Sequence, residues 1–343
     1  MGLVSVNDGM TSDNSIRSCL PDDDVAIVIP VFNDWEPVVR LLAEIDSSLG
    51  AAKLTGRVVV VDDGSDILES GQLGKRKFAN LHGIEIIHLI SNHGHQRAIA
   101  VGIVHLVRSG IGAKAVVVMD GDGEDRPDHI PRLLEELYRT NRSVMFARRT
   151  QRCEGPLFRL MYNVYRFVYW LLLGISVRWG NYSVVRASAL PVLATSPDLW
   201  NHYAACVVRS RLRFGSIGLP RGIRYAGQSH MNYTSLVIHG LSSIAASSEV
   251  LGARLLMTLS GLLAFFSVAI VAEWIARLWT PFVIPNIAIA VSVTLAGLTV
   301  QGIAFTVLFT LIVLSRRTQT KIIPLRDAQA YVASVERIVP AGR

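Results

Sequence analysis

"VVVMDGDGEDRPDHIP", Val116–Pro131, runs from an unbroken apolar stretch straight into a knot of carboxylates. Val116, Val117, Val118 and Met119 read as the end of a strand buried on both faces, the kind that lies inside a parallel sheet. Asp120, Asp122 and Glu124 then stand at alternate positions on the turn that follows. Like charges this close repel one another unless a cation stands among them. Two carboxylates of an Asp-x-Asp turn can face one point, and hard oxygen ligands in that number suit Mg²⁺ or Mn²⁺, which keep several waters and share a substrate's phosphates. An acidic turn with Asp125 and Asp128 capping the helix after it is the plainer reading, and it leaves the alternating acids without a reason.

The same pattern recurs outward from this stretch. "VAIVIPV" (25–31), "RVVVVDD" (57–63), "IEIIHLI" (84–90), "AVVVMD" (115–120) and "SVMFA" (143–147) are expected to be buried strands. Amphipathic stretches separate them; in Glu36–Leu49 the residues Val38, Leu41, Leu42, Ile45 and Leu49 share one face. Strands alternating with helices predict a mostly parallel sheet covered on both sides, with ligands beyond the carboxyl ends of its strands. The polar endings PVFND, DDGSD, SNHGHQ and DGDGED all fall on that edge. No GxGxxG follows the first strand and no GxxxxGK[ST] occurs, which removes the main support for dinucleotide and P-loop readings. An EF-hand fails too, since Asp125 and Pro131 stand where it needs Gly and Glu.

The chain has 343 residues, half of them hydrophobic and 18% charged, below the roughly 25% of an average soluble protein. The surplus apolar residues lie late. Leu255–Ala272 carries no charge, nor does Phe282–Ser315, and "EWIARLWTP" joins them. Each is long enough to cross a membrane, which takes about 20 apolar residues. Two buried core helices would show a polar face, and these show almost none. Arg254 before the first crossing and Arg316, Arg317 and Lys321 after the second predict cytoplasmic ends and a cytoplasmic N-terminal part, by the positive-inside rule. The first twenty residues lack the apolar segment of a signal peptide. Cys19, Cys153 and Cys206 have neither zinc nor disulfide spacing. The formal charge of +7 is read as attraction to an anionic lipid surface and not to nucleic acid.

"IPVFND", "VVVVDDGS", "NHGHQRAIAVG" and "VVVMDGDGEDRP" stand in the order of the patterns IPVYNE, VDDGS, NxGxxxAxxxG and DADLQDPP. In this the chain resembles the family 2 glycosyltransferases of the GT-A fold, and most of all the polyprenyl-phosphate type exemplified by dolichol-phosphate mannose synthase. The resemblance covers 25–150 strongly and extends more loosely to the apolar segments. It implies a GT-A domain over 23–235 behind a flexible polar tail (1–22), a juxtamembrane segment (236–253), two transmembrane helices (254–317) and a cytoplasmic tail (318–343). The implied localisation is the cell membrane. The implied reaction is inverting, metal-dependent transfer of a sugar from a UDP- or GDP-linked donor to a polyprenyl phosphate. Transfer to another glycan or lipid, or a membrane module that binds nucleotide sugar without turnover, is the alternative. A homo-oligomer stays open.

Residue by residue, the resemblance puts Asp62 and Asp63 on the donor's nucleoside, with Pro30 and Asn33 lining the same pocket and Asp120 and Asp122 on the metal. Glu124, where the family often has Gln, becomes a third candidate ligand, and Asp122 a fallback base. Arg148 or Arg149 falls where a family Arg neutralises phosphate, and His95 where Lys is common; a solvated basic turn and a helix-surface histidine are the plain alternatives. "RYAGQSH" resembles R-x-x-G-x-S-K, which makes Arg224, Ser229 and His230 acceptor candidates. "PLFRLMYNVYRFVYWLLLGISVRWG" mixes Arg with aromatics and reads as an interfacial helix at about 156–178. Two departures stand out. Asn181 occupies the place of an acidic residue proposed as base in relatives. Ile175 before Arg178-Trp179 breaks the QxxRW pattern of processive synthases.

Overall fold

Runs rich in buried Val and Ile form the centre of one sheet. β1 (Asp23–Val31), β2 (Gly56–Asp62), β3 (Leu81–Leu89) and β4 (Ala113–Val118) lie parallel, with Val28 opposite Val59 on one side and opposite Val118 on the other. The computed structural model describes residues 23–66, 76–149, 180–225, 248–279, 286–315 and 322–338. The expected interfacial helix, Ser229 and His230 lie outside them, as does the side chain of Arg149.

β5 (Val144–Arg149), β6 (Ser183–Arg186), β7 (Phe214–Leu219) and β8 (Val332–Ile338) complete the sheet, whose order is β7-β5-β6-β4-β1-β2-β3-β8. β6 runs antiparallel between β4 and β5, and β8 runs antiparallel along β3. The mostly parallel sheet is the one that the sequence leads one to expect; the reversed strands β6 and β8 were not foreseen. β8 is not what a tail assignment over 318–343 suggests. Its burial alternates little, with only Ile338 buried, so its sequence carries no buried-strand signature; backbone bonds to the edge of β3 hold it.

Alternation along β1 divides the core. Val25, Ile27 and Ile29 face α1 (Trp35–Ala51) and the later α3 (Ile130–Arg139), while Ala26 and Val28 face α2 (His95–Arg108). The face predicted for α1 is the buried one: Val38, Leu41, Leu42, Ile45 and Leu49 are fully inaccessible. α4 (Leu190–Ala194) and α5 (Tyr203–Arg209) join α2 on the second face. Gly102 allows α2 to lie directly on the sheet, because a Cβ there would stand 2.5 Å from Val28 Cγ1.

Among the described residues the second compact unit is a pair of long apolar helices, α6 (Ser248–Trp279) and α7 (Asn286–Ser315). Each is long and apolar enough to cross a membrane. Their apolar side chains are turned outward: Trp279 is 84% exposed and Phe305 74%, which core helices of a water-soluble domain would not be. The helices meet where small and polar residues permit close approach: Gly252 packs on Thr310, and Ser292 donates to Glu273 Oε1 at 3.1 Å.

Candidate active site

The carboxyl ends of β1, β2 and β4 gather the acids. Each carboxylate of the Asp120–Glu124 turn has found its own cation. His95 Nε2, at the start of α2, lies 3.2 Å from Asp120 Oδ1. Arg224 Nη2 lies 3.8 Å from Asp122 Oδ2 and 3.2 Å from Asp34 Oδ2. Arg221 pairs with Glu124. Desolvation in the cleft works against a charge on His95; the attraction of Asp120, Asp125 and Asp122 outweighs it and holds its pKa above the ordinary value.

The turn itself is pinned from within. Asp125, buried, accepts from the Asp120 amide at 3.0 Å, and Asp122 Oδ1 accepts from the Glu124 amide at 3.0 Å. The capping reading therefore fails for both residues. Asp125 staples the turn to its own start, and Asp128 pairs with Arg126 while α3 begins with no side-chain cap.

Residues 221–225 lie along this turn. Gly222 N donates to Glu124 O at 2.8 Å and Tyr225 N to Asp122 O at 3.1 Å. The Tyr225 hydroxyl donates to Glu44, and the Arg40 guanidinium sits over its ring at 4.2 Å. Arg221 and Arg224 are thus set by backbone bonds as well as by charge.

The β2 end is a second acidic station. Asp62 and Asp63 are both buried. Asp62 Oδ1 accepts from Ser65 N at 3.0 Å, and its Oδ2 lies 2.9 Å from His88 Nδ1. Asp63 takes the amides of His93 and Gly94 at 2.7 and 2.8 Å. Burial raises the Asp63 pKa above its ordinary value, against the two amides that favour the charged form. Asn33, with φ at 56°, ties β1 to this station through Ser65 and Asp66, and Pro30 is buried opposite Val61.

The model for Glycosyl transferase family 2 matches residues 26–191. That segment includes both acidic stations, His95 and Asn181. Residues 26–191 are a family 2 glycosyltransferase domain. Over 111 residues the chain is 30% identical to an undecaprenyl-phosphate 4-deoxy-4-formamido-L-arabinose transferase of Erwinia tasmaniensis, covering 32% of this chain and 33% of that protein. Over 138 residues it is 25% identical to a dodecaprenyl-phosphate galacturonate synthase of Rhizobium johnstonii, covering 40% and 39%. The matched part thus spans only about a third of those relatives. A solved structure of mannosyl-3-phosphoglycerate synthase from Rubrobacter xylanophilus is 17% identical, with a TM-score of 0.46 over 66% of this chain and 72% of that one.

Within the family 2 domain, Asn181 does not stand alone over the site. Its Nδ2 lies 2.9 Å from His95 Nε2, and its Oδ1 accepts from Gln96, whose own Oε1 accepts from the Tyr203 amide. Arg148, exposed at the end of β5, lines a small cleft with Arg126, His129, Tyr182 and Arg221. Sequence reasoning missed Arg221, Asp34 and the Tyr225–Glu44 pair. Arg221 and Arg224 lie about a hundred residues from their carboxylates, and no motif spacing links them.

Proposed function

We propose that the chain transfers a sugar from a nucleotide-sugar donor to a polyprenyl phosphate, with inversion, at the cytoplasmic face of a membrane. The observation that carries this reading is the placement of two acidic stations, Asp62–Asp63 and Asp120–Asp122, on one sheet edge with residues 221–225 bonded across the second. The similarity to an undecaprenyl-phosphate transferase of Erwinia and a dodecaprenyl-phosphate synthase of Rhizobium supports a polyprenyl-phosphate acceptor. Helices α6 and α7 support a membrane setting.

Asp62 and Asp63, fixed on the ends of β2 with Pro30 and Asn33 beside them, would hold the nucleoside. Among the described residues no three His, Cys, Asp or Glu side chains form a metal cluster. Asp120 and Asp122 nevertheless fit a divalent ion. Both are carboxylates of one turn with 24% and 17% of their side-chain surface accessible, and each meets a side-chain cation that a metal ion would replace. Two protein ligands suit an ion that completes its shell with water and a donor's diphosphate. Bound there, Mg²⁺ or Mn²⁺ supplies neutralisation of the departing diphosphate. Glu124 joins them only by leaving Arg221. Arg148 or Arg149 would meet phosphate charge, and His95, 3.2 Å from Asp120, would hold that carboxylate in line.

Asn181 has no proton-accepting carboxylate. A phosphate monoester, with its second pKa near 6, needs none, since it is already largely dianionic at neutral pH. The reaction then rests on positioning and charge. Arg224, followed by Ser229 and His230, would receive the acceptor phosphate.

Purified full-length protein in detergent, given Mn²⁺, undecaprenyl phosphate and a panel of labelled nucleotide sugars, is expected to move label from one donor into the organic phase. Donor binding that requires metal without any transfer would reject the lipid-phosphate acceptor. A second expected result concerns Asp63→Asn. The amide turns an N–H₂ toward one of two backbone donors, a mismatch of about 1–3 kcal/mol. Titration with Mn²⁺–UDP or Mn²⁺–GDP should show binding weakened by roughly tenfold or more.

A further inference from the structure

Residues 322–338 follow α7 in the chain and pack on the same unit as the sheet. After a short helix, α8 (Pro324–Asp327), the chain passes through Ala328–Tyr331 into β8. An added strand on a sheet edge is sufficiently explained by satisfying backbone groups. The side chains of this segment do something more specific.

Tyr331 precedes β8 and is directed at the β3–α2 loop. Its carbonyl accepts from Ile90 N at 3.0 Å. Its ring meets the His93 ring edge-on at 4.8 Å and the Trp200 ring at 4.7 Å. His93 and Gly94 are the residues whose amides hold Asp63. Along β8, Glu336 lies diagonally across from His88, with Oε2 3.8 Å from Nε2, while His88 Nδ1 faces Asp62. Each carboxylate of the β2 station is therefore supported through one histidine, and each of those histidines is backed by a residue of the C-terminal segment.

We propose that Tyr331 is a positioning residue for the donor pocket, acting through His93 on Asp63, with Glu336 acting more weakly through His88 on Asp62. The C-terminal segment thereby sets the affinity for the nucleotide. This rests on the assignment of Asp62 and Asp63 to the donor's nucleoside.

The test uses full-length protein in detergent, titrated calorimetrically with Mn²⁺–UDP and with Mn²⁺–GDP. An edge-on aromatic contact is worth about 0.5–1.5 kcal/mol, which corresponds to roughly a two- to tenfold change in Kd. Tyr331→Ala should weaken nucleotide binding by about fivefold, and Tyr331→Phe, which keeps the ring, should bind as wild type does. In the transfer assay the same change should appear in KM for the donor, with kcat nearly unchanged. Tyr331→Leu fills the volume without the ring; it should weaken binding like Ala while leaving the thermal midpoint unchanged, and it replaces Ala if that variant does not fold. Equal binding by wild type and Tyr331→Leu would overturn this inference and leave the proposed function standing. Failure of wild type to bind either nucleotide would overturn both.

Discussion

Asp122→Asn is expected to lower kcat/KM for sugar transfer by roughly 10³-fold, about 4 kcal/mol of transition-state stabilisation, with the fold intact. The two oxygens of Asp122 do different work. Oδ1 accepts from the Glu124 amide at 3.0 Å, which an asparagine oxygen can continue to do. The main-chain oxygen, which takes the Tyr225 amide, is untouched. Oδ2 is the oxygen turned toward Arg224 at 3.8 Å, and an amide N–H₂ there meets a donor and offers a metal nothing. The thermal midpoint should therefore stay within about 2 °C, while metal-dependent nucleotide binding is lost. Asp128→Asn is the control, because that carboxylate faces Arg126 at the surface and should leave transfer within a factor of two. Retention of more than a tenth of wild-type transfer by Asp122→Asn would remove the residue from the reaction.

The three cations that meet Asp120, Asp122 and Glu124 offset the repulsion posed by the sequence. They also suggest an order of events. Arg224 is shared between Asp34 and Asp122, so neutralising Asp122 from elsewhere weakens its hold on that side and leaves a guanidinium for another anion. The residue proposed to receive the acceptor phosphate thus pairs with the carboxylate proposed to hold the metal.

What could be read in the sequence was whatever one segment decides for itself. Four of the five expected strands lie where unbroken apolar runs occur, because a strand buried on both faces has no polar position to disguise it; β3 keeps its apolar pattern around Glu85 and His88. The face of α1 follows from the spacing of Val38, Leu41, Leu42, Ile45 and Leu49 alone. β7, "FGSIGL", is interrupted by glycine, and β8 exposes most of its side chains, so neither carries that signature. Their places are fixed by neighbours, through β5 and β3. The candidate site divides in the same way. Asp62, Asp63, Asp120 and Asp122 sit at strand ends and were legible there. Arg221, Asp34 and Tyr331 act only through partners far off in the chain. The capping reading of Asp125 and Asp128, expected to hold for Asp128, was a local inference that the fold overrode: Asp125 takes the Asp120 amide, Asp128 pairs with Arg126, and α3 starts with no side-chain cap.

Gly123→Ala should be the most disruptive single methyl in the domain, because it strikes the contact between the acidic turn and residues 221–225. Gly123 has φ at 85°, a conformation that costs an alanine about 1–2 kcal/mol. Its added Cβ would also fall inside the Tyr225 ring, 2.6 Å from Cζ. The ring has little room to retreat: its hydroxyl is held by Glu44, Arg40 covers one face, and its amide is bonded to Asp122 O. Overpacking of this kind typically adds about 1–3 kcal/mol. The expected fall in thermal midpoint is roughly 5–10 °C, and transfer should drop by about a hundredfold as Arg221 and Arg224 lose their seats. Tyr225→Ala separates the two contributions. In the double variant the clash is gone and only the backbone cost remains, so the pair should be non-additive by more than about 1 kcal/mol. Additive effects would show that Tyr225 does not confine Gly123, and the bonded contact of residues 221–225 with the acidic turn would then lose its role in the site.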